Sequence, residues 1–294
     1  MPSSPMVARR HEHLQALLLT TIMPELPEVE TTRRGIEPYV TGATVREVIV
    51  RRGDLRQAVS ASLSGIEGLK ITGARRRAKY ILLDITDDSC VLIHLGMSGS
   101  LRVVAPSEEW KKHEHVAITL DKRHQLRMHD PRRFGLVLHL TESDPFTHPL
   151  LRDLGPEPLE ADFSAHYLKH ACAKRSSAIK LAIMDSHVVV GVGNIYASEA
   201  LFHAGIRPLT AARQLSLTRL EKLVTAIRTV LTKSIEAGGT TLRDFVKSDG
   251  QPGYFKQSLH VYGRTGEPCH VCAAAIRHAV LGQRATYWCP RCQR

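Results

Sequence analysis

The string Met23-Pro24-Glu25-Leu26-Pro27-Glu28 sets a proline directly behind a methionine, with two carboxylates in the next turn. An amino-terminal proline is a secondary amine, and α-amino groups titrate at about pH 8, so a neutral fraction exists near neutrality. Such an amine can attack the sugar carbon of a nucleoside and form an iminium, as lysine does in Schiff-base enzymes. Glu25 beside it can move a proton onto the sugar or the departing base. An internal proline is a tertiary amide without that lone pair, and removal of an initiator methionine at position 23 would liberate it. Read without context, the string is equally an acidic helix start stabilised by the helix dipole.

A second chemical signal lies at the other end. Four of six cysteines fall as Cys269-x-x-Cys272 and Cys289-x-x-Cys292, sixteen residues apart. Two such knuckles form a tetrahedral thiolate site for one structural zinc, which closes a segment too short to build its own core. Two disulfides are the alternative, suited to an oxidising compartment. Residues 260–294 hold five arginines against a single acid, Glu267, a charge that suits a phosphate-facing hairpin. The whole chain carries 40 Lys+Arg against 29 Asp+Glu, a net +11 with pI near 9.6, which favours a polyanion partner, nucleic acid above all. No apolar run reaches the roughly 18–20 residues of a membrane span.

Two halves must position these ends. Val29, Ile36 and Val40 share one face of a helix that starts around Pro27 and stops before Gly42. Short Val- and Ile-rich runs follow at 43–50, 69–76, 80–85, 90–95, 115–120 and 135–140. Nothing helical of crossover length separates them, so an antiparallel sandwich is expected rather than a parallel sheet. Four prolines between 141 and 163 mark a linker. The second half reads as helical, with segments at 178–185 and 195–205 and a long amphipathic helix at 216–239, capped by Ser216 and stopped by Gly238-Gly239.

Residues 23–294 resemble formamidopyrimidine-DNA glycosylase, the Fpg or MutM family. The resemblance rests on PELPEVE (24–30), RRAKY (76–80), HLGMSGSLR (94–102), DPRRFG (130–135), LGPEPL (154–159), VVGVGNIYASE (189–199), GGTTLRDF (238–245), GYF (253–255) and VYGRTGEPC (261–269), followed by the closing cysteine knuckles. It implies an α+β protein: an N-terminal antiparallel β-sandwich domain (23–140), a linker (141–163), a helix-two-turn-helix domain (164–258) and a zinc-finger β-hairpin (259–294). It also implies a bifunctional glycosylase and abasic-site lyase that removes oxidised purines from damaged double-stranded DNA. By the same resemblance Pro24 is the nucleophile, Glu25 its proton donor, Lys79 acts in β-elimination, and Arg284 binds the lesion phosphate and assists δ-elimination. Met97, Arg132 and Phe134 fill the void left by the everted nucleotide, Arg132 facing the orphaned base. His113, Arg175, Lys180 and Asn194 touch DNA, with Arg175 standing where relatives carry lysine. Glu28 lies near the flipped nucleotide, and 238–255 covers the everted base.

The cofactor implied is one zinc. The setting implied is a monomer in the bacterial cytoplasm, associated with the nucleoid. Endonuclease VIII is the neighbouring reading, but its start reads PEGPE and Leu26 argues against it. A repair scaffold without chemistry is the third. The departure from the family is the leader, residues 1–22, where Arg9 and Arg10 precede a short apolar stretch. It is expected to be absent from the active chain, because translation begins at Met23 or because processing ends there. An organelle transit peptide is the lesser alternative.

Overall fold

The computed structural model describes residues 24–238 and 259–294. The expected leader at 1–22, Met23, the stop at Gly239 and all of the 238–255 cover except Gly238 lie outside the described residues.

Helix α1 (Leu26–Val40) accepts Pro27 in its first turn, where no intrahelical donor is needed, and buries Leu26, Val29, Ile36 and Val40 to 1% exposure or less. Two four-stranded antiparallel sheets follow. One orders β1 (Glu47–Val50), β6 (Glu114–Thr119), β7 (Gln125–His129) and β5 (Ser100–Val104). The other orders β2 (Ile71–Arg77), β3 (Tyr80–Ile85), β4 (Cys90–His94) and β8 (Leu136–Leu140). Ile81, Leu83, Val91, Ile93 and Val137 of the second sheet share one core with Val103, Val116, Ile118 and Leu126 of the first, and α1 closes it with Val29, Ile36 and Val40. This is the expected sandwich.

The alternate residues of the second sheet, Leu82, Cys90, Leu92, Leu136 and Leu138, pack on its other face under Leu151. Burial on both faces explains why these strands read as unbroken apolar runs. Residues 141–163 therefore do more than connect, since Leu151 closes this cluster and Phe163 is fully buried among the helices.

Strands β5 and β7 were not among the expected runs. Each carries an arginine at a buried position, Arg102 at 6% exposure and Arg127 at 0%. Both pair with Glu114 of β6, Arg127 at 3.1 Å. Arg127 also donates to Gln125 Oε1 at 2.6 Å and lies 4.3 Å over the Trp110 ring. Charge inside a strand hides the apolar pattern from a sequence reading, and only the partner across the sheet makes it tolerable.

The second half packs α2 (Ala165–Cys172), α3 (Ile179–Met184), α4 (Asn194–His203) and α5 (Leu217–Gly238) around Phe163, Leu168, Ile183, Leu201, Leu223 and Leu231. Ser164 Oγ accepts from Tyr167 N at 3.1 Å and so caps α2. The C-terminal hairpin joins β9 (Arg277–Leu281) to β10 (Arg284–Trp288) through Gly282 and Gln283, both at positive φ, as a tight two-residue turn requires. Among the described residues no helix is long and apolar enough to cross a membrane.

Glu114→Ala should cost about 3–5 kcal/mol, because two buried guanidinium groups lose their counter-charge. A urea denaturation series should show the lower midpoint; a shift under about 1 kcal/mol would mean the arginines find other partners.

Candidate active site

Pro24 is buried, and the residue after it anchors the chain to the other half of the molecule. Glu25 Oε2 accepts from Gly193 N at 2.8 Å and Tyr196 N at 3.3 Å, and Oε1 accepts from Ile195 N at 3.0 Å. The first carboxylate of the described chain thus caps α4, satisfying amide groups that have no partner within their own helix. Leu26 N donates to Gly191 O at 3.1 Å beside it. The two glycines of VVGVGN are what permit this approach: a Cβ on Gly193 would overlap the Glu25 carboxyl carbon, and one on Gly191 would lie 2.5 Å from Leu26 Cδ1.

Burial pushes the Glu25 pKa up to about 7, against the pull of the Lys79 charge and with a push from Glu28. Glu28 is raised for the same first reason, burial, and is bound on both sides. Its Oε2 accepts from Glu25 N at 2.9 Å and its Oε1 from Tyr196 OH at 2.6 Å. A carboxyl poised near neutrality beside Pro24 is a competent proton donor.

Lys79 sits in the two-residue turn between β2 and β3, where Ala78 adopts a φ of 53°. That conformation is unusual for alanine and is held from outside. Glu157 Oε1 accepts from Ala78 N at 2.7 Å, and the Glu157 carboxylate pairs with Arg76 at 2.6 Å and Arg77 at 3.0 Å. Arg76 reaches on to Glu30 of α1 at 3.1 Å, and Glu30 also binds Arg33 and Arg34. One charge network therefore ties the Pro24 helix, the Lys79 turn and the segment after β8. Lys79, Tyr80, His94, Ser186 and Gly191 line a cavity of about 160 Å³. His94 was passed over in the sequence reading although it opens HLGMSGSLR. Burial, aided by Arg56 and Lys79, drives its pKa down to about 4, so the ring is neutral, and its Nδ1 accepts from Gly96 N at 3.0 Å.

Met97 is half-buried on the loop after β4, whereas Arg132 and Phe134 are exposed on the loop after β7. The Arg132 guanidinium lies 5.0 Å over the Phe134 ring, and Phe134 is 42% exposed, which is unusual for an aromatic side chain. His113 holds a φ of 72° with its carbonyl bound by Asp130 N at 2.9 Å. Asn194 is the first residue of α4; its side chain meets the Tyr262 hydroxyl, while its Oδ1 is buried without a partner among the described residues.

Two of the residues expected to touch DNA already have partners within the protein. Arg175 is paired with Asp185 at 2.8 Å. Lys180 is wholly buried and does not face solvent: Nζ donates to Ala285 O at 2.8 Å and Thr286 Oγ1 at 3.0 Å. Desolvation lowers its pKa to about 8, with Glu25 raising it and Arg284 lowering it. The resemblance makes Lys180 a DNA contact, and its burial is not visible in the sequence. In the folded chain it fastens α3 to β10, whose first residue is the exposed Arg284.

At the hairpin base, Cys269 Sγ lies 3.9 Å from Cys292 Sγ, Cys272 Sγ lies 3.4 Å from Cys289 Sγ, and all four sulfurs fall within 4.8 Å of one another. Tetrahedral thiolates at about 2.3 Å from zinc stand about 3.8 Å apart, so this donor set fits that ion.

Three family descriptions match in order along the chain. They are the formamidopyrimidine-DNA glycosylase N-terminal domain over 23–137, the H2TH domain of the same enzyme over 154–246, and the zinc finger found in FPG and IleRS over 266–294. A formamidopyrimidine-DNA glycosylase of Thioalkalivibrio sulfidiphilus is 56% identical over 273 residues, covering 92% of this chain and 100% of the relative. The chain belongs to the formamidopyrimidine-DNA glycosylase family. Among solved structures, MutM (Fpg) from Thermus thermophilus is similar with a TM-score of 0.79 at 38% identity, covering 92% of this chain and 98% of that one. A complex between Lactococcus lactis Fpg and DNA containing an abasic site gives 0.83 at 32%, covering 92% and 99%. As in the family, the four cysteines hold one structural zinc, and Arg284 stands on the hairpin that the metal closes.

Cys289→Ser should lower bound zinc from one per chain towards none and release the hairpin while the sandwich stays folded. Metal analysis together with near-ultraviolet circular dichroism of Trp288 checks this; full zinc content in the variant would exclude Cys289 as a ligand.

Proposed function

We propose that this chain is a DNA glycosylase and abasic-site lyase of base excision repair, removing oxidised purines such as 8-oxoguanine and formamidopyrimidines from duplex DNA. The observation that carries the reading is the seating of Pro24-Glu25 on the amino end of α4, with the charges of Lys79, Lys180 and Arg284 acting on the same few groups. That the relatives are named as formamidopyrimidine-DNA glycosylases, and that one is solved with abasic DNA, supports it.

In this reading the unprotonated amine of Pro24 attacks C1′ of the damaged nucleotide. The glycosidic bond breaks, its electron pair leaves with the base, and Glu25 supplies a proton as the sugar ring opens to an iminium. The Glu25 carboxylate left after proton donation, or water, then takes a C2′ proton, and the electron pair of that bond expels the 3′ phosphate. Loss of the C4′ proton to water in a second elimination expels the 5′ phosphate. Lys79 and Arg284, both cations, bind and steady the phosphates that become leaving groups. The target base must first leave the stack at a cost of a few kcal/mol. Met97, Arg132 and Phe134 occupy the space it vacates, the ring and thioether wedging and the guanidinium facing the orphaned partner. His113, Arg175 and Asn194 serve the DNA backbone, and Lys180 serves the reaction through β10. The enzyme works as a monomer. Zinc, when bound, supplies the fold of the hairpin and takes no part in bond breaking.

Single-turnover excision should be bell-shaped in pH. It rises as the Pro24 amine deprotonates towards about pH 8 and falls as Glu25, raised to about 7, loses its proton. Glu25→Gln should lower the rate about 10²- to 10⁴-fold and abolish the falling limb. A falling limb unchanged in that variant would assign it to another group.

A chain beginning at Pro24 should be trapped on 8-oxoguanine duplex by borohydride, because only a free amine forms a reducible iminium. A chain verified by mass spectrometry to keep residues 1–22 should give no adduct at Pro24. An adduct mapped to Pro24 in that longer chain would overturn the amine mechanism.

A further inference from the structure

Asp130 is completely buried, yet no cation pairs with its carboxylate among the described residues. Its partners are the two loops that carry the void-filling side chains. Oδ2 accepts from Gly135 N at 2.8 Å, one residue beyond Phe134, and Oδ1 accepts from Ser98 Oγ at 3.4 Å, one residue beyond Met97. Its main chain extends the grip: Asp130 O accepts from Arg133 N at 3.3 Å and meets His115 Nε2 at 2.9 Å, and Asp130 N donates to His113 O.

The loops also touch through bare backbone. A Cβ on Gly96 would lie 2.5 Å from Phe134 C, and one on Gly135 would lie 2.9 Å from both Asp130 Oδ2 and His94 O. Glycine at these two positions lets the loops close on the carboxylate. Outside the brace, the loop is tied by Arg133 to Asp54 at 2.6 Å, an exposed pair of the kind that contributes little, and by Arg56 N donating to Gly135 O at 3.2 Å. The inner brace therefore decides the geometry.

We propose that Asp130 is a positioning residue that locks the Met97 loop and the Arg132–Phe134 loop into one rigid wedge. The proposal rests on the glycosylase reading above and adds to it that insertion is concerted. Three side chains on separate flexible loops would each lose freedom on entering the duplex, whereas a pre-assembled wedge has already lost it. A charged acceptor buried with amide and hydroxyl donors suits this role, since such bonds are short and directional. Asn at 130 can still accept from Gly135 N and bond Ser98 Oγ; Ala cannot.

The test compares the wild type, Asp130→Ala and Asp130→Asn with three readouts. These are single-turnover excision of 8-oxoguanine opposite cytosine and opposite adenine, fluorescence of a 2-aminopurine placed next to the lesion, and cleavage at a ready-made abasic site in single-stranded DNA. Asp130→Ala should lose excision from duplex on the order of 10- to 100-fold, because misplaced groups at this scale have that effect. It should also lose its preference for cytosine and the fluorescence rise that reports unstacking, while single-strand cleavage, which needs no wedge, is retained. Asp130→Asn should restore the preference and the fluorescence. Unchanged preference and fluorescence in Asp130→Ala would overturn the inference. So would equal loss of single-strand cleavage, which signals general damage, or an Asn variant as poor as Ala, which assigns the effect to charge. Failure of the wild-type chain to excise at all would instead overturn the glycosylase reading.

Discussion

The carboxylate of Glu25 on the amino end of α4 is the contact from which the site is built. It joins the first turn of the described chain to a helix 170 residues later, through three main-chain donors. Two effects compete there. The amides favour the ionised form, while burial favours the neutral one, and burial wins, leaving the group half-protonated at neutral pH. The same desolvation that raises the pKa of the carboxyl makes its three amide partners indispensable, so capping and protonation cannot be separated at this residue.

Carboxylates recur wherever a loop or a buried cation must be held in place. Glu157 holds the turn that presents Lys79, Glu114 holds Arg102 and Arg127, and Glu199 accepts from the three consecutive amides of His260, Val261 and Tyr262 that lead into the zinc hairpin. A polyanion would meet lysines and arginines whose own counter-charges already fix their backbones.

Much of this was legible in the chain itself. The apolar runs of β3, β4 and β8 and the amphipathic period of α5 marked their elements, and the cysteine spacing marked the metal site, because each pattern is local. What escaped was set by partners distant in sequence. Arg102 and Arg127 concealed two strands until Glu114 was placed across the sheet. Lys180, matched by resemblance to a DNA-contacting position, shows only in the fold that it is buried against β10. His94 was unremarkable until the Lys79 turn and Gly191 closed a cavity around it. The family resemblance named the reactive residues, and their supports became visible only as contacts between loops.

The clamp on Glu25 also has a temporal side. During synthesis the Pro24-Glu25 turn leaves the ribosome long before α4, Lys180 or β10 exists to meet it. Until then the sandwich can gather its own core, but the acid has no amides to face. Closing a contact across so much chain is a late and entropically demanding event. A truncated or stalled chain would therefore carry Pro24 and Glu25 without the geometry that α4 and the hairpin impose on them.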